Sequence, residues 1–218
     1  MNKLSHPHAD TEYYGQDRPE MLAFLPNNPK HLVDIGCGEG FFCAAVKSQF
    51  PNCEVWGVEL APEAAAKAAL RSDRIVQGLL EGADLPEKYF DVVSMNDVLE
   101  HMADTEGALS IVRRILTTDG RLVLSLPNVR FYLNVRDLVF KNDWEYRDFG
   151  ILDRTHYRFF TSKSAVRCLN QNGFAVEKIQ GIPGAPIKLH YRMLFALAPS
   201  FFHWMRFPQI AIVARPKL

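Results

Sequence analysis

The chain has 218 residues, of which 48% are hydrophobic and 23% charged. That is ordinary globular usage; it excludes a disordered or collagen-like chain and suits one domain over residues 1–218. The 25 Lys and Arg balance 25 Asp and Glu, so a whole-protein grip on nucleic acid is not expected. The four cysteines (Cys37, Cys43, Cys53, Cys168) show no CxxC spacing, which argues for reduced thiols and a cytoplasmic setting rather than a disulfide framework or a zinc site.

Residues 1–12 read as a flexible terminus. Residues 18–25 form a short helical stretch opened by Pro19 and closed by Pro26. From Lys30 onward, strand and helix patterns alternate. Residues 31–37 are an apolar run that enters a glycine cluster, as a buried parallel strand does. Residues 41–50 read as a helix with Phe42, Val46 and Phe50 in register. A second strand covers 53–60, an Ala-rich helix 62–70, a short third strand 74–78 and a fourth strand 90–96. Residues 105–116 are helical. They end in a Thr118-Asp119-Gly120 turn before a fifth strand at 121–126. Residues 128–161 are aromatic and weakly periodic. A helix at 162–172, strands at 175–182 and 209–214, and an apolar, basic connection at 183–208 complete the chain. Strands alternating with helices predict a mainly parallel sheet with helices on both faces. No run of about 18 apolar residues is present, so no membrane-spanning segment is expected.

The first strand runs into Asp34-Ile35-Gly36-Cys37-Gly38-Glu39-Gly40. Glycines allow a sharp turn and close ligand approach, and the helix that follows offers its N-terminal amides. Glu59 ends the second strand about 20 residues later, where a carboxylate can accept both ribose hydroxyls. The loop is therefore a cofactor cradle. Its G-x-G-x-G spacing, with Phe41 after Gly40, departs from the dinucleotide fingerprint. Asp34, two residues before the first glycine, suits a ligand that carries an ammonium group.

Past the fourth strand lies Asn96-Asp97-Val98-Leu99-Glu100-His101. In a helix, Asp97, Glu100 and His101 would share one face at i, i+3 and i+4. Such a set can hold a divalent cation, relay a proton, or cap a helix start. Residues 128–161 and 183–208 follow the late strands and are expected to shape the acceptor side. Residues 178–218 contain six Lys and Arg and no Asp or Glu, which suits either a solvated basic surface or a peripheral membrane contact through 183–208.

The segments VDIGCGEG (33–40), GVEL (57–60), FDVVSMNDVLEHM (90–102) and LTTDGRLVLSLPN (116–128) resemble the successive motifs of class I S-adenosylmethionine-dependent methyltransferases. The resemblance implies a Rossmann-like, seven-stranded, mostly parallel sheet with an antiparallel last strand and acceptor-side insertions. S-adenosyl-L-methionine is the implied cofactor. Asp34, Gly36 and Gly38 then surround its methionine part, Glu59 meets the ribose, Leu60 lies beside the adenine, and Asn96 lies near the sulfonium. Gly78 is followed by Leu79 rather than the usual Asp, so Glu81 or a backbone group is expected to serve the adenine amino group.

The Asp97/Glu100/His101 set with the later His156 is similar to metal-binding positions of small-RNA 2′-O-methyltransferases and ubiquinone-pathway O-methyltransferases. That implies a site for Mg²⁺ or Mn²⁺, with Asp97 in place of the usual Glu; otherwise His101 or His156 serves as base or orienter. Residues 127–161 also resemble bacterial methyltransferases linked to polysaccharide or lipid modification. The expected activity is methylation, in particular O-methylation, of a small-molecule or lipid- or saccharide-linked acceptor. The rival reading is a module that binds the cofactor without catalysis.

Overall fold

In a computed structural model, residues 18–217 are described; the expected flexible terminus at 1–12 lies outside them. The elements run α1 (Pro19–Leu22), β1 (His31–Ile35), α2 (Phe41–Gln49), β2 (Glu54–Glu59), α3 (Pro62–Ala68), β3 (Arg74–Gln77), β4 (Phe90–Asn96), α4 (Thr105–Ile115), β5 (Leu116–Pro127), α5 (Tyr132–Phe140), α6 (Ser162–Gln171), β6 (Phe174–Ile182), α7 (Leu189–Leu197), α8 (Pro199–Phe202) and β7 (Gln209–Pro216). Single 3₁₀ turns lie at Leu80–Gly82, Leu99–His101 and His203–Arg206.

The seven strands form one sheet in the order β3-β2-β1-β4-β5-β7-β6. The first five are parallel, and β7 pairs antiparallel with both β5 and β6. The expected antiparallel last strand is present. The central strands are buried on both faces, as their Val, Leu and Ile content requires. One core on one side of the sheet includes Phe90, Met95, Leu109, Leu122 and Phe174; another includes Met21, Phe42, Val46, Val55 and Val123.

Two local readings of the sequence change. The turn expected at Thr118-Asp119-Gly120 does not separate helix from strand, because β5 begins at Leu116, directly after α4. Leu116 already pairs with Phe90, and the ladder resumes at Val92↔Arg121. The turn residues are thus absorbed as a bulge inside the strand. The weakly periodic stretch after Asn128 also contains a helix, α5. Its inward side chain Tyr132 packs on Phe195 and Met205 of the later insertion rather than on the sheet, so the sheet-facing periodicity is missing.

Strand order sets the position of the site. The chain moves outward from β1 through β2 to β3, then returns to place β4 on the other side of β1. The crevice at the carboxyl ends of β1 and β4 is the topological switch point, where open α/β sheets take their ligands.

Candidate functional site

Gly36, Gly38 and Gly40 adopt φ of 67°, 55° and 80°, the left-handed region that disfavours any side chain. A Cβ at Gly36 would sit 2.7 Å from Val98 Cγ2, so the loop lies against the segment after β4. Glu59 braces this loop: its Oε2 accepts the Gly38 amide at 2.9 Å and its Oε1 the Ala61 amide at 2.8 Å. A carboxylate has lone pairs left over after two such bonds, so Glu59 can still accept ribose hydroxyls. Asp34 is buried and accepts the Ser94 hydroxyl at 2.7 Å. Burial pushes its carboxyl up to about 7, against the lowering effect of the Ser94 bond.

Leu60 and Leu79 are exposed large apolar side chains. They follow β2 and β3, which pair at Glu59↔Gln77, and the Gly78 amide donates to the Glu59 carbonyl at 2.9 Å. Two exposed leucines beside a braced carboxylate suit a flat apolar ring next to a ribose. Glu81 is exposed on the 3₁₀ turn that follows. Both amide atoms of Asn96 are buried and have no partner among the described residues. A buried, unpaired amide at the end of β4 is a place for a polar ligand group. These features fit S-adenosylmethionine: a carboxyl for its ammonium, a braced carboxylate for its ribose, a leucine pair for its adenine and an unpaired amide for its polar end.

The segment after β4 departs from the helical face expected of Asp97, Glu100 and His101. Asp97 has φ 54°, tolerable for an Asp, and only a 3₁₀ turn at Leu99–His101 follows. Asp97 therefore points elsewhere. Its carboxylate accepts from the Arg18 guanidinium, from Gln209 Nε2 at 2.7 Å and from Ser125 Oγ at 3.1 Å. Arg18 is itself buried and also donates to Ser125 Oγ at 3.0 Å and Gln209 Oε1 at 3.2 Å. This network ties the start of the described chain to the ends of β4, β5 and β7.

Glu100, His101 and His156 do come together: one potential ligand atom from each lies within 4.8 Å of the others. Asp97 is not in this group. The convergence is made by backbone, since the Glu100 carbonyl accepts the amides of Tyr157 at 2.9 Å and Arg158 at 3.3 Å. Glu100 is 1% exposed, and neither carboxylate oxygen has a partner among the described residues. Burial first, and the nearby Asp97 second, push its carboxyl well above the usual range.

The hydrogen-bond network assigns both imidazoles. The Thr155 hydroxyl has one proton, taken by the Asp153 carboxylate at 2.6 Å. His101 Nδ1, 3.0 Å from Thr155 Oγ1, must then donate. His156 Nδ1 lies 3.2 Å from the Ile151 carbonyl, which can only accept. Each Nε2 thus keeps a lone pair. Burial lowers the pKa of both rings, which favours that neutral form.

Several participants carry no pattern in the sequence. Arg18, Ser94, Ser125 and Asp153 are lone buried polar residues, and Thr155 and Gln209 lone half-buried ones, with no motif around them. Asn128 is another. It is fully buried, and its Nδ2 lies 2.7 Å from the carbonyls of both Trp204 and Phe207, fixing the 183–208 connection to the end of β5.

With this geometry in place, comparison with known proteins gives the class. Residues 8–179 match the family model described as a methyltransferase domain, and the chain belongs to that family, with the class I fold of S-adenosylmethionine-dependent methyltransferases. The trans-aconitate 2-methyltransferase of Methylobacterium radiotolerans is 31% identical over 111 residues, 50% of this chain and 43% of that enzyme. The demethylmenaquinone methyltransferase of Thermus thermophilus is 29% identical over 106 residues, 46% of this chain and 48% of its own length. The chain therefore spans about half the length of these relatives. Among solved structures, a SAM-dependent methyltransferase from Archaeoglobus fulgidus superposes with a TM-score of 0.67 at 18% identity, over 94% of this chain and 96% of that one.

Proposed function

We infer that the chain catalyses transfer of the S-adenosylmethionine methyl group to a hydroxyl oxygen of a small-molecule or lipid- or saccharide-linked acceptor. The observation that carries this reading is the unpaired, buried Glu100 carboxylate beside two neutral imidazoles, just past Asn96 at the mouth of the cofactor crevice. The glycine loop with Asp34 and Glu59 would hold the methionine and ribose parts, Leu60 and Leu79 the adenine, and Asn96 would orient the reacting end. Glu81, the nearest acid beyond β3, is the proposed partner of the adenine amino group.

In-line displacement needs alignment and a dry pocket more than it needs a strong base, because the sulfonium already activates its methyl group. An acceptor hydroxyl must still lose its proton. His101 or His156 can take it at Nε2, with Thr155 or the Ile151 carbonyl holding the ring from Nδ1.

The Glu100, His101 and His156 set also fits a divalent cation, which would give the orphan Glu100 carboxylate a partner. The donor set of two imidazoles and one carboxylate suits Mn²⁺ better than Mg²⁺. A cation held there would supply Lewis-acid polarisation of the acceptor oxygen. Asp97, committed to Arg18 and Gln209, would stand behind the set rather than in it.

The test is methyl transfer from labelled S-adenosylmethionine to catechol and sugar hydroxyls, with and without Mn²⁺. The expected product is a base-stable methyl ether. A tricarboxylic acid is run beside the hydroxyl acceptors, and a base-labile methyl ester formed on it in preference would move the chemistry to a carboxylate. Tight cofactor binding without turnover on any acceptor would favour the non-catalytic module.

A further inference from the structure

The connection between β6 and β7 leaves and returns at the catalytic end of the sheet. Gln209, the first residue of β7, pairs with Pro127 at the end of β5 and with Ile182 at the end of β6. The parallel β5 runs in the same direction as β1, so α7 and α8 lie at the end that carries the glycine loop and the Glu100 cluster. One side of this module is anchored. Phe195 and Met205 pack on Tyr132, and Asn128 holds the carbonyls of Trp204 and Phe207.

Among the described residues, nothing covers the other side. Leu189, Met193 and Leu197 recur every four residues along α7 and are 69%, 65% and 82% exposed; Phe201 of α8 is 61% exposed. Single exposed leucines are ordinary, but a row of them along one helix face marks a contact surface. The exposed charges on the same segment are Lys188, Arg192 and Arg206, and no Asp or Glu occurs anywhere in 178–218.

This charge pattern chooses among occupants. A second copy in a two-fold contact centred on this row would bring Lys188, Arg192 and Arg206 near their own equivalents, and the segment itself supplies no acid to meet them. An anionic bilayer supplies both complements: acyl chains for the leucine and methionine row, and headgroup phosphates for cations on long flexible stems. The helix has nine residues, too short to cross a bilayer but suited to lie in its interface.

We propose that α7 and α8 dock the protein on the surface of an anionic lipid bilayer, with the cofactor crevice opening toward the headgroups. The docking stands on the surface alone. Its consequence, that the acceptor is a bilayer-resident molecule, rests on the methyl-transfer reading above.

The experiment is vesicle co-sedimentation of the full chain. Phosphatidylcholine vesicles would be compared with phosphatidylcholine–phosphatidylglycerol vesicles. The mixed vesicles are expected to bind the wild type at least roughly tenfold more strongly, with the difference falling at high salt. The variant Leu189→Ser/Met193→Ser/Leu197→Ser and the variant Lys188→Glu/Arg192→Glu should each lose that binding. All five side chains are exposed, and unchanged calorimetric affinity for S-adenosylhomocysteine would confirm that the fold is intact. Equal binding of wild type and either variant would overturn the proposal, as would no binding to mixed vesicles. A wild-type dimer in sedimentation velocity that the serine variant dissolves would overturn it in favour of a second copy. None of these readouts needs turnover, so failure of the methylation assay leaves the docking test intact.

Discussion

The two sides of the crevice at β1 and β4 are built on opposite terms. On the cofactor side the polar groups are satisfied by the chain itself: Asp34 by Ser94, and Glu59 by the amides of Gly38 and Ala61. On the far side neither oxygen of the buried Glu100 carboxyl has a partner among the described residues, and at the seam between the two the Asn96 amide is likewise unpaired. A group satisfied by its own chain is held ready in place. A buried group left unsatisfied costs stability and marks where something else completes the site. On the proposed function, the cofactor side is preformed and the acceptor side is finished by what enters it.

The sharpest way to break this comparison is at the two histidines. His101→Ala or His156→Ala should lower turnover by roughly 10²–10⁴-fold while leaving calorimetric affinity for S-adenosylmethionine unchanged. A parallel loss of affinity would show that the two sides are one unit. Next is Arg18→Ala, which strips the buried partner from Asp97. It should destabilise the protein by about 2–3 kcal/mol, read from the urea midpoint, because the carboxylate is partly shielded and retains Ser125 and Gln209. No change in midpoint would mean that the network is dispensable.

On the cofactor side, Glu59→Ala should weaken S-adenosylmethionine binding by about 1–3 kcal/mol, a roughly 5- to 150-fold rise in Kd. Preferential binding of NAD by the wild type would contradict the preformed site outright. The smallest effect is a proton. Asp34 is held at about 7 against an ordinary 3.8, so its folded-state value is the higher one. The protonated form then favours the folded apoprotein, and that contribution is lost as pH rises from about 4 through 7. A cofactor ammonium favours the ionised form, so binding near pH 6.5 should release a fraction of a proton. Calorimetry in two buffers of different ionisation enthalpy reads this directly; identical apparent enthalpies would remove Asp34 from the ammonium.

The same contrast decides what could be read from the sequence. The glycine loop, Glu59 and Asn96 sit at strand ends, where local pattern and spacing fix their place, and the parallel order followed from the alternation of strands and helices. The meeting of Glu100, His101 and His156 was also visible as a set of residue types, but for a different geometric reason. A helical face was expected, whereas Asp97 turns left-handed and the convergence depends on the Tyr157 and Arg158 amides reaching the Glu100 carbonyl. Such long-range backbone bonds leave no local periodicity. Arg18 and Gln209, 191 residues apart in sequence, could not announce their shared partner. α5 was hidden because it packs on another insertion and not on the sheet.

Asn128 has a consequence for exchanging parts between proteins of this architecture. It stands at the start of the 128–161 segment and grips two carbonyls near the end of the 183–208 segment, at Trp204 and Phe207. The two segments are separated by α6 and β6, yet they share this clasp and the Tyr132–Phe195 contact. A chimaera that imports residues 128–161 alone inherits a clasp cut for a foreign partner, and one that imports 183–208 alone inherits the partner without its clasp. The transferable unit is discontinuous: both segments travel together, while the glycine-loop half of the chain stays in place.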